Sequence, residues 1–153
     1  MNLPKYQLQA SPDLSIFKFE SPSQQGNLSK LIKFTPTDAE EVVNLSFGDY
    51  DEHCGKLNDS AASGNGNPAL TLATVAAAVY IFTKDHPDTW VFLTGSTPAR
   101  TRLYRMAISN HLSELENDFE VIGLSEKGWG YFVKGRNYSG FAVKRLDKPW
   151  LEM

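Results

Sequence analysis

One cysteine, Cys54, is all that 153 residues contain, so no disulfide can form within the chain. The longest apolar run, Val75 to Phe82, is far shorter than the roughly 20 residues a spanning helix needs, which excludes a helical membrane protein. Near Met1 there is no charged, apolar and small-residue succession of the kind that marks a secretion signal. A reducing cytoplasm is the expected compartment. A basic excess is missing too. The formal net charge is −3, which argues against strong non-specific binding to nucleic acid and leaves room only for a local basic patch. No internal repeat and no low-complexity tract occurs.

What is there suits one globular domain over residues 1–153, since 41% hydrophobic and 22% charged residues fit neither a disordered nor a membrane chain. Phe17 and Phe19 alternate with Lys18 and Glu20, the period of a strand with one wet face. After the turn at 21–26, Ile32 and Phe34 suggest its hairpin partner. Val43, Leu45 and Phe47 give the cleanest strand. From Gly48 to Asn67 neither period is present, which predicts a long loop.

Pro68 then suits the first position of a helix, and Leu72, Val75, Ala76, Val79 and Phe82 follow one face. Its other faces carry little charge, so a further element or a second copy of the chain is expected to cover it. The unbroken run Trp90-Val91-Phe92-Leu93 predicts a central strand buried on both faces, reached by a parallel crossover. Thr97 and Pro98 open a second helix that reaches about Leu115, and three short strands follow. The predicted class is α+β, a mostly antiparallel mixed sheet with two helices in the order β-β-β-α-β-α-β-β-β.

The segments Phe47-Gly48-Asp49, Ala73-Thr74-Val75 and Thr94 to Arg100 with Leu103-Tyr104 resemble an uncharacterised family of short bacterial proteins, from about Asp13 to Leu124. The layout is also similar to that of GCN5-related acyltransferases. This second resemblance implies coenzyme A near Gly64 and Gly66, with Tyr104 as the residue that protonates the departing thiolate; Ala61 stands where those enzymes carry Arg or Gln.

From the residues themselves, the strongest constellation is Gly95-Ser96-Thr97 with Arg100, Arg102 and Arg105. A helix N-terminus offers unpaired N–H groups to an anion, and three guanidinium groups add charge with no acidic residue between Thr94 and Asn110. Capping and solvation alone explain the same residues. Asp49, Asp51, Glu52 and Asp59 gather carboxylates, but His53 and Cys54 spoil a calcium-loop spacing and no metal is implied. Trp90, Trp129, Trp150, Tyr131 and Tyr138 have the makings of a base-stacking platform, although aromatic residues favour strands anyway and packing is their expected role. Without a convincing catalytic set, the expected function is a non-catalytic binding or interaction module for an anionic ligand or protein partner. Coenzyme A-dependent acyl transfer and nucleic-acid binding through the arginine helix are the alternatives.

Overall fold

The computed structural model describes residues 6–23, 26–51, 56–58, 68–95 and 97–146. In chain order they form β1 (Gln9–Ala10), β2 (Ile16–Ser23), β3 (Gly26–Pro36), β4 (Val42–Asp51), β5 (Lys56–Asn58), α1 (Pro68–Asp85), β6 (Trp90–Leu93), α2 (Pro98–Asn110), α3 (Leu112–Asp118), β7 (Phe119–Ser125), β8 (Gly128–Tyr131) and β9 (Gly140–Arg145). The strands make one sheet in the order β1-β2-β3-β4-β6-β9-β7-β8, with β5 paired to β4 off this path. Every pairing is antiparallel except that of β4 with β6, which is parallel from Val42 opposite Trp90 to Leu45 opposite Leu93. The class is therefore α+β with a mostly antiparallel mixed sheet. No helix among the described residues is long and apolar enough to cross a membrane.

Alternation decides what the sheet buries. Phe17, Phe19, Ile32, Phe34, Leu45, Phe47, Val91, Leu93, Phe119, Val121, Phe141 and Val143 line one face and are buried. Val75, Val79 and Phe82 of α1 and Tyr104 and Ile108 of α2 pack into the same core, with Leu112 and Leu115 of α3 beside it. Phe82 stacks on Phe34 with ring centroids 4.2 Å apart. All three helices thus cover one face of the sheet. Gly123 lets Tyr138 lie flat on that face, since a Cβ there would come within 2.5 Å of the Tyr138 ring.

Three expectations need correction. The expected second helix is two, because at His111 the backbone leaves helical geometry (φ −123°, ψ 19°) and its N–H bonds to both Ala107 O and Ile108 O; the turn swings Leu112 and Leu115 onto the core. The region after Gly48 is not all loop, since β4 runs on to Asp51 and β5 pairs back on it. A strand of only three residues, Lys56–Asn58, is too short for a search for alternation to find. The residues between and after these strands, 52–55 and 59–67, lie outside the described residues. Finally, β6 is central but not buried on both faces: Val91 and Leu93 are buried while Trp90 and Phe92 are only half-buried, because no helix among the described residues covers their side. The order is β-β-β-β-β-α-β-α-α-β-β-β.

Arg145 clamps the end of β9 to α1. Its Nε donates to Thr83 Oγ1 at 2.9 Å and its Nη2 to Tyr80 O at 2.8 Å, while the guanidinium lies 5.0 Å from the Tyr80 ring and 5.1 Å from that of Phe119. Tyr80 Oη in turn donates to Asp118 Oδ2 at 2.8 Å, so burial first and this bond second push the phenol above its ordinary range. Arg145→Ala should destabilise the fold by about 2–3 kcal/mol in urea unfolding, the range for hydrogen bonds from a charged group. Arg145→Lys should recover only part, because an ammonium has no planar fork to span both acceptors.

A helix-bounded groove as candidate functional site

The start of α2 is built by its own sequence. Thr97 is extended (φ −131°, ψ 157°) and its Oγ1 accepts from Arg100 N at 3.1 Å, while Pro98 brings no N–H to the first turn. Thr101 Oγ1 donates back to Thr97 O at 3.2 Å and to Gly95 O at 3.4 Å. The loop lies so close to the helix that a Cβ on Gly95 would sit 2.3 Å from Thr101 N. Ser96 lies outside the described residues, as do Gly64, Gly66, Ala61, Glu52, His53, Cys54, Asp59 and Trp150.

The three arginines do not converge. Arg100 turns toward the sheet, where Nη1 donates to Phe47 O at 2.9 Å and the guanidinium stands 4.8 Å from the Phe47 ring centroid. Arg102 is exposed, and Arg105 donates to Asn137 Oδ1 in the loop between β8 and β9. What the structure does bring together is Arg100 with Asn44, Ser46, Thr94 and Tyr104, around a polar recess of about 80 Å³. It opens where β6 stops at Leu93 and β4 continues.

A much larger space adjoins it. Between α1 and α2, above Leu93, Val143 and Phe119, runs an apolar groove of about 520 Å³, within the range of small-molecule sites. Its origin is volume that the sequence leaves unfilled. Ala69, Ala73 and Ala76 share one side of α1 by their spacing and line the groove, as does Ala107 of α2. Leu103 and Met106 stand at its rim, 37% and 47% exposed, and Asn110 and His111 lie at the far end of α2. Tyr104, 4% exposed, lines both the groove and the polar recess. Only Tyr104 among the residues singled out from the sequence is common to both. The groove itself escaped that reading, although the alanines of α1 were its visible signal.

A one-sided α+β sheet with an apolar groove between its helices defines a domain with room for a ligand. The chain belongs to DUF6934, a family of unknown function, which it matches over residues 2–146. No curated protein and no solved structure matches it. Membership of an uncharacterised family is the level at which the sequence resemblance holds.

The cap gives a direct check on the site's frame. Thr97→Ala should cost about 1 kcal/mol of stability by denaturant titration, the usual loss for an N-cap hydroxyl. Gly95→Ala should cost more, because its Cβ meets backbone that can yield only if the helix start moves.

Proposed function

We propose that the protein is a small binding module that holds one amphipathic molecule, with the apolar body in the groove between α1 and α2 and the polar or anionic end beside Arg100. The carrying observation is Tyr104, which borders both spaces, so that a single ligand lying along it reaches each. Covering Leu103 and Met106 removes apolar surface from water, at roughly 25 cal/mol per Å². Arg100 is already held by the Phe47 carbonyl and ring, so less side-chain freedom is lost when an anion docks. Divergence of Arg102 and Arg105 gives a larger anion, or a nucleic-acid backbone along this helix, less support. The proposed working compartment is the cytoplasm.

One observation favours a second reading, acyl transfer from coenzyme A. The parallel pair β4 and β6 parts beyond Leu45 and Leu93 at a polar recess, α1 lies between these two strands in sequence, and Tyr104 sits on the next helix. The helix, central strand and second helix bearing Tyr104 follow the layout of the acyltransferase resemblance, although fold alone does not carry an activity.

Thermal-shift titration with medium-chain fatty acids, acyl-coenzyme A compounds, free coenzyme A and phosphate tests both. An amphipathic anion should raise the melting temperature saturably, because a ligand that binds only the native state stabilises it by mass action. Met106→Glu, at an exposed rim position, should abolish the shift without unfolding the protein. No shift with any compound would end the binding proposal. Release of free thiol from acyl-coenzyme A that depends on an added amine acceptor, yields the acylated amine and is lost in Tyr104→Phe would establish transfer instead.

A further inference from the structure

Among the described residues, no helix lies against the second face of the sheet. Across it runs the row Asn44, Phe92, Ala142, Ile122 and Tyr131, joined strand to strand from β4 to β8, with Leu124 and Trp129 paired beside it. Tyr131 is 74% exposed and Trp129 46%, on alternate residues of one strand and therefore on one side of it. The rings are placed, not scattered. Phe92 meets Trp129 edge to face with centroids 5.5 Å apart, and it lies over Gly140, where a Cβ would come within 3.3 Å of the Phe92 ring. Trp90 shares this face, with Lys144 Nζ 5.9 Å from its ring centroid.

Charge is distributed to match. Between Lys127 and Leu146 the chain has five basic residues and no acidic one, although its net charge is −3. Arg145 is taken by α1, and the loop that carries Lys134 and Arg136 is anchored on the helix side by buried Phe132 and Tyr138 and by Arg105, whereas Lys127 is exposed in the β7–β8 turn. Lys144 stands on the open face itself, opposite Glu120 of β7, and Glu126 adjoins Lys127. The succession Lys127-Gly128-Trp129-Gly130-Tyr131 is basic, glycine, aromatic, glycine, aromatic, the order in which sheet-borne RNA-binding strands set their stacking rings. Gly128 (φ +101°) and Gly130 border open space, with nothing within 4 Å of where a Cβ would be.

We propose that this open face binds single-stranded nucleic acid, with bases stacked on Trp129 and Tyr131 and phosphates held by Lys127 and Lys144. Two rings on alternate residues are roughly 7 Å apart along a strand, room for one unstacked base each. The inference is independent of the helix-side groove, which lies on the other face.

The test is fluorescence anisotropy of short labelled RNA and DNA single strands, and of a duplex, at low and moderate salt, with wild type and Trp129→Ala/Tyr131→Ala. Trp129 gives up its contact with Phe92, so the variant should melt somewhat lower while keeping the wild-type circular dichroism spectrum, and it should keep any ligand response of the groove. Wild type should bind single strands with quenched tryptophan fluorescence and bind duplex far more weakly. Loss of each ring should weaken binding about tenfold, and added salt should weaken it further. The tighter of the RNA and DNA arms identifies the polymer. No binding at low salt, duplex binding as tight as single-strand binding, or an unchanged double variant would overturn the proposal. So would sedimentation showing that the double variant loses only self-association, which would make the face a contact between copies.

Discussion

The parallel pairing of β4 with β6 is the constraint from which the rest of the structure follows. Parallel neighbours cannot be joined by a tight turn, so the chain must leave the sheet and return, and α1 is that return. Because β6 has four residues and β4 has ten, the two strands part where the shorter one ends. The gap is the polar recess, and the chain leaving β6 must turn there into α2. Arg100, one turn into that helix, then bonds to the Phe47 carbonyl of β4 and fixes the direction in which α2 sets out. With both helices committed to one face, the alanines between them leave the groove as unfilled volume.

Those same dependencies divide what the residues announce from what they conceal. Strand alternation at Phe17 and Phe19 and at Val43, Leu45 and Phe47 is local, and the pairing matches it. Pro68 and Thr97 mark helix starts by chemistry confined to one turn, and both helices begin there. The break at His111 is different, since it is drawn by Leu112 and Leu115 seeking a core made by distant strands. The apolar run of β6 read as doubly buried because an aromatic ring on an open face has the same hydropathy as one in a core. The arginines shared a helix in sequence, yet their destinations, a strand carbonyl and a loop asparagine, belong to other elements. The groove was hidden for a related reason: hydropathy counts alanine as apolar and is silent on missing volume, and Ala107 faces α1 across some thirty residues of chain.

Two faces of one sheet therefore carry different chemistry. On the helix side, burial of phenylalanine and valine leaves a shaped apolar space with a polar end. On the other side, rings that would ordinarily be covered stand in water, with lysine beside them. Such exposure has a cost in solubility that a domain without use for it has little reason to keep.

The position of β9 has a consequence for how the protein is made. It lies between β6 and β7, and neither of those strands touches the other in the sheet. The last of the described strands is thus the seam that joins the two halves. During synthesis from the N-terminus, the β6 edge and the β7–β8 hairpin wait apart, with Val91 and Val121 lacking the Val143 between them, until the chain has been made through Arg145. An unpaired central edge of this kind is a template for wrong partners. The nascent protein is accordingly vulnerable to aggregation until β9 is in place, and removing residues from β9 would be felt at the centre of the sheet.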